Sequence, residues 1–227
     1  MSSLTRVDLH VHTKYSYDGL IDVTDIINVS RSRGIQCIAI TDHDTMAGYE
    51  SFSRVLREKG LIVIPGIEVT TSRGHVILLD IEPPYELTSR DFYDVVDYAR
   101  DNGALVVIPH PMDTFRSFDD LHGVIDYVDG VEVANGSDLM VGRHVGRLLS
   151  LTIRWGKFAT AGSDAHIAEA IGSSHLYIDE ELGSEDDVIK CLIDGRFSVY
   201  VGRTPLIHRL RKILLQYLPL SRLGGRI

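Results

Sequence analysis

The feature that most narrows the fold of this chain is a regular alternation of short apolar runs with stretches of helical period. Ile35 to Ile40 is almost continuously apolar, as expected of a strand covered on both faces. Comparable runs recur at Arg6 to Val11, Leu61 to Val69, His75 to Ile81, Ala104 to Ile108, Gly130 to Ala134 and Lys157 to Ala161. Shorter candidates follow at Ser174 to Ile178 and Phe197 to Val201. Between them the spacing predicts helices over Val23 to Arg33, Thr45 to Lys59, Thr88 to Asp101 with Thr88 as N-cap, Asp138 to Trp155 and Ser184 to Asp194. Repeated strand–helix units imply a largely parallel sheet, either open and doubly wound or closed into a barrel. An open sheet that binds a dinucleotide usually carries Gly-x-Gly-x-x-Gly after its first strand. Here that strand ends in Asp8-Leu9-His10-Val11-His12, and no P-loop pattern occurs.

Composition removes several classes. Two cysteines, Cys37 and Cys191, are too few for a disulfide framework, a zinc finger or an iron–sulfur cluster. They point to a reducing compartment, and the expected location is cytoplasmic. Met1 to His10 holds no apolar stretch of signal-peptide length, and no run reaches membrane-spanning length. The formal charge is −9, which argues against general affinity for nucleic acid. That charge is uneven. Arg203, Arg209, Arg211, Lys212, Arg222 and Arg226 fall after residue 202 with no acid among them, so the other 17 basic residues face all 32 acids and residues 1–202 carry −15. The expected organisation is one barrel domain over 1–202 and a basic helix and tail over 203–227. In that tail Leu206, Leu210, Ile213, Leu214 and Tyr217 share a face of a helix running to Leu218, read first as packing on the barrel and otherwise as an oligomer or anionic-surface contact.

The unusual number is ten histidines, because imidazole is the commonest metal ligand and a frequent acid or base. Their positions are more telling than their count. His10 and His12 close the first strand, and i and i+2 on a strand share a face, so the pair can chelate one ion. Asp42 and His43 follow the second strand, Glu68 lies near the end of the third, and His110 follows Val106-Val107-Ile108-Pro109. Asp164 and His166 follow the strand ending at Ala161. In a barrel the C-terminal strand ends converge on one mouth, where such enzymes place their sites. Any one of these residues has an ordinary structural explanation, but together they predict a metal centre.

Asp8-Leu9-His10-Val11-His12-Thr13, Ile40-Thr41-Asp42-His43-Asp44-Thr45 and Gly162-Ser163-Asp164-Ala165-His166 resemble motifs of the PHP superfamily, named for polymerase and histidinol phosphatase. The resemblance covers about residues 5 to 200. It implies a distorted (β/α)7 TIM-like barrel with two or three divalent ions at its mouth. It also implies nine ligands: His10, His12, Asp18, His43, Glu68, His75, His110, Asp164 and His166. Glu68 would bridge two ions, and Asp18 stands where many members have histidine. Six imidazoles and three carboxylates suit Mn, Fe or Zn better than Mg or Ca.

The chemistry matched to such a set is phosphate-ester hydrolysis by a metal-activated hydroxide. Asp42, Glu68 and His110 stand as the catalytic candidates, with Asp42 orienting a ligand or water or else capping the helix near Thr45. Arg143, His144 and Lys14 are the candidates for holding substrate phosphate, with Arg73 and Arg116 also near the expected mouth. His122, His175 and His208 carry no supporting pattern and read as structural. The expected substrate is a small phosphomonoester, a nucleotide or sugar phosphate. Short oligonucleotides cut from the 5′ end are the alternative. Weaker alternatives are an amidohydrolase, which also begins with His-x-His, and a non-catalytic metal-binding module.

Overall fold

The computed structural model describes residues 4–113, 118 and 120–217. The strands are β1 (Thr5–Val11), β2 (Cys37–Ile40), β3 (Ile62–Thr71), β4 (Gly74–Leu79), β5 (Leu105–Ile108), β6 (Gly130–Asn135), β7 (Phe158–Gly162), β8 (His175–Ile178) and β9 (Ser198–Tyr200). The helices are α1 (Val23–Arg33), α2 (Ala47–Glu58), α3 (Phe92–Asp101), α4 (Leu121–Val124), α5 (Val141–Arg154), α6 (Glu185–Ile193) and α7 (Leu206–Tyr217).

The sheet runs β7-β6-β5-β4-β3-β2-β1-β8-β9 and curls into a nearly closed, TIM-like barrel. The pairs β1–β2, β2–β3, β5–β6 and β6–β7 are parallel, as the strand–helix alternation requires. The expectation of a largely parallel sheet fails around β4, which is antiparallel to both β3 and β5. The cause is chain length. Only Ser72 and Arg73 separate β3 from β4, whereas a parallel crossover needs a dozen or more residues. Gly74, at φ +128°, opens the returning strand.

Closure depends on the two halves of β1. Its first half, Thr5 to Val7, pairs with β8. Its second half instead meets the segment after β7. The Asp164 amide donates to His10 O at 2.8 Å, the His12 amide to Ala165 O at 2.9 Å, and Val11 bridges Ala165 in parallel. The buried Asp8 carboxylate lies at the changeover and accepts from the amides of Ser163 (2.8 Å) and Gly172 (2.7 Å). Burial pushes its pKa up to about 6, against the opposing pull of these hydrogen bonds.

Strand alternation sends Ile38 and Ile40 to one apolar layer with Phe52, Leu56, Phe92 and Val95 of the outer helices. Cys37 and Ala39 go to the other layer, with Val188, Cys191 and Leu192 of α6. Both cysteines are buried and unpaired.

Helix starts follow local chemistry. Asp22 and Asp25 form a capping box on α1, and Ser184 with Asp187 does the same for α6. α3 begins at Phe92 with Asp91 as its N-cap, not at Thr88, because the Asp91 carboxylate accepts from the amides of Tyr93 and Asp94. α5 begins at Val141, since Asp138 turns its carboxylate onto the Met140 amide.

α7 forms where helical period predicts it. However, Leu206, Ile207, Leu210 and Leu214 are exposed, so among the described side chains its apolar stripe is not covered by the barrel. Arg211 ties the helix to Glu169 through an ion pair. The end at Leu218 and the basic residues Arg222 and Arg226 lie outside the described residues. Among the described residues no helix is long and apolar enough to cross a membrane.

Candidate metal centre

The nine expected ligands come together at one end of the barrel. Glu68 sits at their centre, 1% exposed. One carboxylate oxygen, Oε2, lies 3.3 Å from His10 Nε2, 3.1 Å from His12 Nε2 and 3.2 Å from His43 Nδ1. The other, Oε1, lies 3.0 Å from His75 Nδ1 and 3.1 Å from His110 Nε2. Asp164 Oδ1 lies 3.4 Å from His12 Nε2 and 3.7 Å from His10 Nε2. Asp18 Oδ2 lies 2.9 Å from His166 Nε2, and Oδ1 3.8 Å from His43 Nε2.

Backbone geometry explains each placement. His10 and His12 share a face of β1. The path of β2 continues past Ile40 so that His43 bridges Glu68 in parallel, fixed by the Glu68 amide on Asp42 O and the Asp44 amide on Glu68 O. His75 stands at the start of its strand, yet it reaches the mouth because β4 is antiparallel and pairs it with Thr70 at the end of β3. Two of the nine occupy left-handed backbone, His110 at φ +33° and Asp164 at φ +52°, the kind of strained position that clusters at functional sites. Asp18 is delivered by the loop after β1, which closes through the Leu20 amide on His166 O. Gly19 is required in that loop, because a Cβ there would stand 1.9 Å from Thr13 O.

The far nitrogens of the rings determine how they present themselves. His10 Nδ1 lies 3.1 Å from Glu132 Oε1, His12 Nδ1 lies 3.0 Å from Ser16 Oγ, and His166 Nδ1 donates to the Asp164 carbonyl at 3.0 Å. Each partner engages Nδ1 and leaves Nε2 turned toward the carboxylates, Glu68 for His10 and His12 and Asp18 for His166. His10 Nε2 and His12 Nε2 are then 3.0 Å apart, two ring nitrogens facing each other beside carboxylate oxygens. Such a pair is unfavourable without a positive charge between them, and a divalent cation meets that need. Three clusters have ligand atoms within reach of one ion: His10 with His12 and Glu68, His12 with His43 and His166, and His43 with Glu68 and His75. The residues present therefore fit a bound divalent metal.

The electrostatics agree. Burial disfavours a charged His10 ring, but Glu132, Glu68 and Asp164 outweigh it and hold the ring well above its ordinary pKa. His12 moves in the same direction against its own burial, drawn by Asp164 and Glu68. Burial favours neutral Glu68, yet His10 and hydrogen bonds from His110 and His12 hold it well below the carboxylate range. Burial lowers His43 to about 4, so its ring is neutral and open to coordination near pH 7. The site requires cationic charge at its centre, supplied by protons or by metal.

Glu132 and Ser16 were not expected to take part. Glu132, on β6, accepts from His10 through Oε1, and through Oε2 from the His110 amide and Asn135 Nδ2, both at 2.8 Å. It therefore locks two ligands at once. Its sequence signal was a lone acid in an otherwise apolar strand, Gly130-Val131-Glu132-Val133-Ala134. Ser16 Oγ supports His12 and accepts the His43 amide at 2.9 Å. Glu132→Gln is expected to weaken metal binding about 10- to 100-fold, the usual cost of losing a partner behind a ligand. Metal titration by calorimetry measures this, and unchanged affinity would remove the role.

The remaining candidates fall elsewhere. Asp42 is fully buried, but its two oxygens accept from the Thr13 amide (2.5 Å) and hydroxyl (2.7 Å), so it anchors the loop after β1 instead of orienting a ligand ring. Nor does it cap α2, whose N-cap is Met46. Lys14 pairs with Asp22 at 2.8 Å on the surface. His144 Nδ1 bonds Asp138 Oδ2 at 2.7 Å. Arg143 lines a groove with Leu139, Val141, Val201 and Arg203, and none of the nine ligands lines that groove. Arg73 lies over the ring of Tyr93. Arg116 is outside the described residues. His122 stands edge-on to Trp155, His175 stacks on Tyr200, and His208 faces a separate cleft with Arg6 and Tyr200.

Comparison with known proteins places these residues in context. An uncharacterized protein of Methanocaldococcus jannaschii is 31% identical over 143 residues, 57% of this chain and 81% of its own length. A 3′,5′-nucleoside bisphosphate phosphatase of Chromobacterium violaceum is 31% identical over 84 residues, 35% of this chain and only 29% of its own length. Among solved structures, a two-domain Bacteroides vulgatus protein containing a predicted PHP-like metal-dependent phosphoesterase superposes with a TM-score of 0.74. It is 18% identical, and the match covers 94% of this chain and 70% of that one, which shows a shared fold. The family model described as the PHP domain matches residues 8–181, well over half of the sequence, and the chain belongs to the PHP domain family.

Proposed function

We propose that this protein is a phosphoesterase that hydrolyses small phosphomonoesters of nucleotide or sugar phosphate type, using two or three divalent ions (Mn, Fe or Zn) held by His10, His12, Asp18, His43, Glu68, His75, His110, Asp164 and His166. The observation that carries the reading is the convergence of five imidazole nitrogens on one carboxylate, Glu68, through both of its oxygens. When bound, such ions neutralise charge on phosphoryl oxygens and lower the pKa of a water so that it can attack phosphorus. The water oxygen bonds to phosphorus as the ester P–O bond breaks, and the alcohol leaves with a proton.

The chain's own residues set that geometry. Glu68 links the two halves of the ligand set through its separate oxygens. Glu132 and Ser16 hold the His10 and His12 rings through Nδ1 so that Nε2 points into the site, and Glu132 also fixes His110 through its amide. Asp42 holds Thr13, and with it the loop that delivers Asp18. The buried floor at His10, His12 and Glu68 excludes bulk water, while Asp18 and His75 are about a fifth exposed and leave an open rim for a substrate. The acidic net charge does not oppose an anionic substrate, since cations at the mouth invert the local sign.

The test is phosphate release by metal-loaded protein across phosphomonoesters, short 5′-phosphorylated oligonucleotides, amides and lactones. Turnover of monoesters is expected, lost on chelation and restored by metal. Metal should also raise Tm by mass action, with about 2.7 kcal/mol expected at a hundred times Kd. Retained metal with no phosphate release would favour a binding module, and turnover of amides or lactones alone would favour an amidohydrolase.

A further inference from the structure

A second cleft, of about 440 Å³, lies apart from the metal centre, and none of the nine ligands lines it. Its charge is unusual for a chain of net charge −9. Arg6, Arg33 and Arg203 all line it. Among the described residues no carboxylate pairs with any of the three. Glu169, the one acid among the described lining residues, is taken by Arg211. Two of the guanidiniums are fixed by carbonyl oxygens instead, which hold them in place and leave their charge uncompensated. Arg33 donates to Ile171 O at 2.6 Å and to Glu169 O at 3.0 Å, and Arg6 donates to Arg33 O. The same cleft is lined by a histidine whose needs the fold does not meet. His175 is 4% exposed. Its Nδ1 donates to Gly172 O at 3.0 Å, since a carbonyl can only accept. Burial and the nearby Arg6 lower its pKa, so the ring is neutral and Nε2 is an acceptor. That nitrogen is buried with no hydrogen-bond partner. A buried acceptor left unpaired is costly, and it marks a place for a donor.

We propose that this cleft binds inorganic phosphate, with Arg6, Arg33 and Arg203 holding its anionic oxygens and His175 Nε2 accepting the hydrogen bond of its P–OH group. The site is independent of the phosphoesterase reading. Guanidinium N–H groups match phosphate oxygens in charge and geometry. The acceptor on His175 separates phosphate from other anions. At about pH 8, hydrogen phosphate carries two negative charges and one O–H, whereas a phosphomonoester, with its second pKa near 6, is a dianion with no proton left. Sulfate likewise has the charge and no proton. Either would turn an oxygen lone pair toward the lone pair of His175. Tyr200 stacks on the His175 ring, with centroids 4.5 Å apart and an interplanar angle of 26°, and is 44% exposed. Turning that one surface side chain opens the nitrogen to the cleft.

Calorimetry on the full chain at about pH 8 tests this with phosphate, methyl phosphate and sulfate. It is run metal-loaded and again after chelation, so that anions held at the ions are told apart from those in the cleft. Phosphate should bind the chelated protein about tenfold more tightly than sulfate or methyl phosphate, the scale of one hydrogen bond gained in place of a repulsion. Arg203 makes no side-chain hydrogen bond or ion pair among the described residues, so Arg203→Ala should fold normally. It should weaken all three anions about tenfold. His175→Phe keeps a ring against Tyr200. It should lower phosphate to the level of sulfate and leave the other two anions as they were. Thermal unfolding without ligand checks the fold of each variant. Equal binding of the three anions by wild type would overturn the proposal, as would no binding of phosphate after chelation, or affinities untouched by Arg203→Ala. Should His175→Phe fail to fold, the wild-type ranking and the Arg203 variant still decide the outcome.

Discussion

Replacing Glu68 by alanine is expected to abolish turnover. Both carboxylate oxygens lie within 3.3 Å of histidine nitrogens, five rings in all, so one substitution removes the shared ligand from each half of the site. Ions in such centres supply several kcal/mol of transition-state stabilisation, which sets the expected loss at about 10³-fold or more in kcat. The variant also leaves four buried imidazoles and the partly exposed His75 around an unfilled space, and burial makes that costly. Glu68→Gln is the control for folding. It preserves volume and one oxygen while removing the charge, and it should fold with reduced metal stoichiometry and comparably low activity. Elemental analysis and steady-state kinetics at saturating metal check both variants. Wild-type turnover at full metal occupancy in either would show that Glu68 is not a bridging ligand.

Asp8→Asn should lower stability without replacing a ligand side chain. The Asp8 carboxylate accepts three N–H groups, from Ser163, Gly172 and, at 3.4 Å, His10, at the point where β1 changes partners and the barrel closes. An amide offers one acceptor oxygen and turns an NH2 toward at least one of those donors. Leaving a buried donor unsatisfied costs about 2 kcal/mol, which for a chain of this length corresponds to about 4–8 °C in Tm. Denaturant unfolding in the presence of chelator separates this loss from any change in metal binding. An unchanged midpoint would show that the seam does not depend on Asp8.

Much of the site was legible because its residues occupy local positions with their own periodicity. His10-Val11-His12 shares a face on any strand, and a polar residue just past an apolar run is at a strand end in any barrel. His75 was identified only by resemblance. Its position at a strand start made sense only once β4 proved antiparallel, although the few residues between the predicted strands already left no room for a crossover. Glu132 is not legible in the sequence because a single acid in an apolar strand has no periodic signature; its role arises from β6 lying next to β5, which puts Glu132 behind His10 and the His110 amide. Asp42 lies where its place beside His43 predicts but faces Thr13 and not a ligand ring, since which of two nearby groups a carboxylate faces is a matter of orientation. Arg143 and His144 follow a strand that does end near the mouth, but the turn at Asp138 gives His144 another partner and puts Arg143 beside Arg203.

The sequence by itself determined the alternating elements and the gathering of histidines and carboxylates at strand ends, because apolar period and strand geometry act over a few residues; the barrel class came only through the resemblance of its motifs to a family. Tertiary structure alone decided the reversal at β4, the seam held by Asp8, the ring orientations set by Glu132 and Ser16, and the stacking of Tyr17 on His43. Each of these depends on contacts between residues distant in sequence or on the direction of a side chain, and neither is encoded in local spacing.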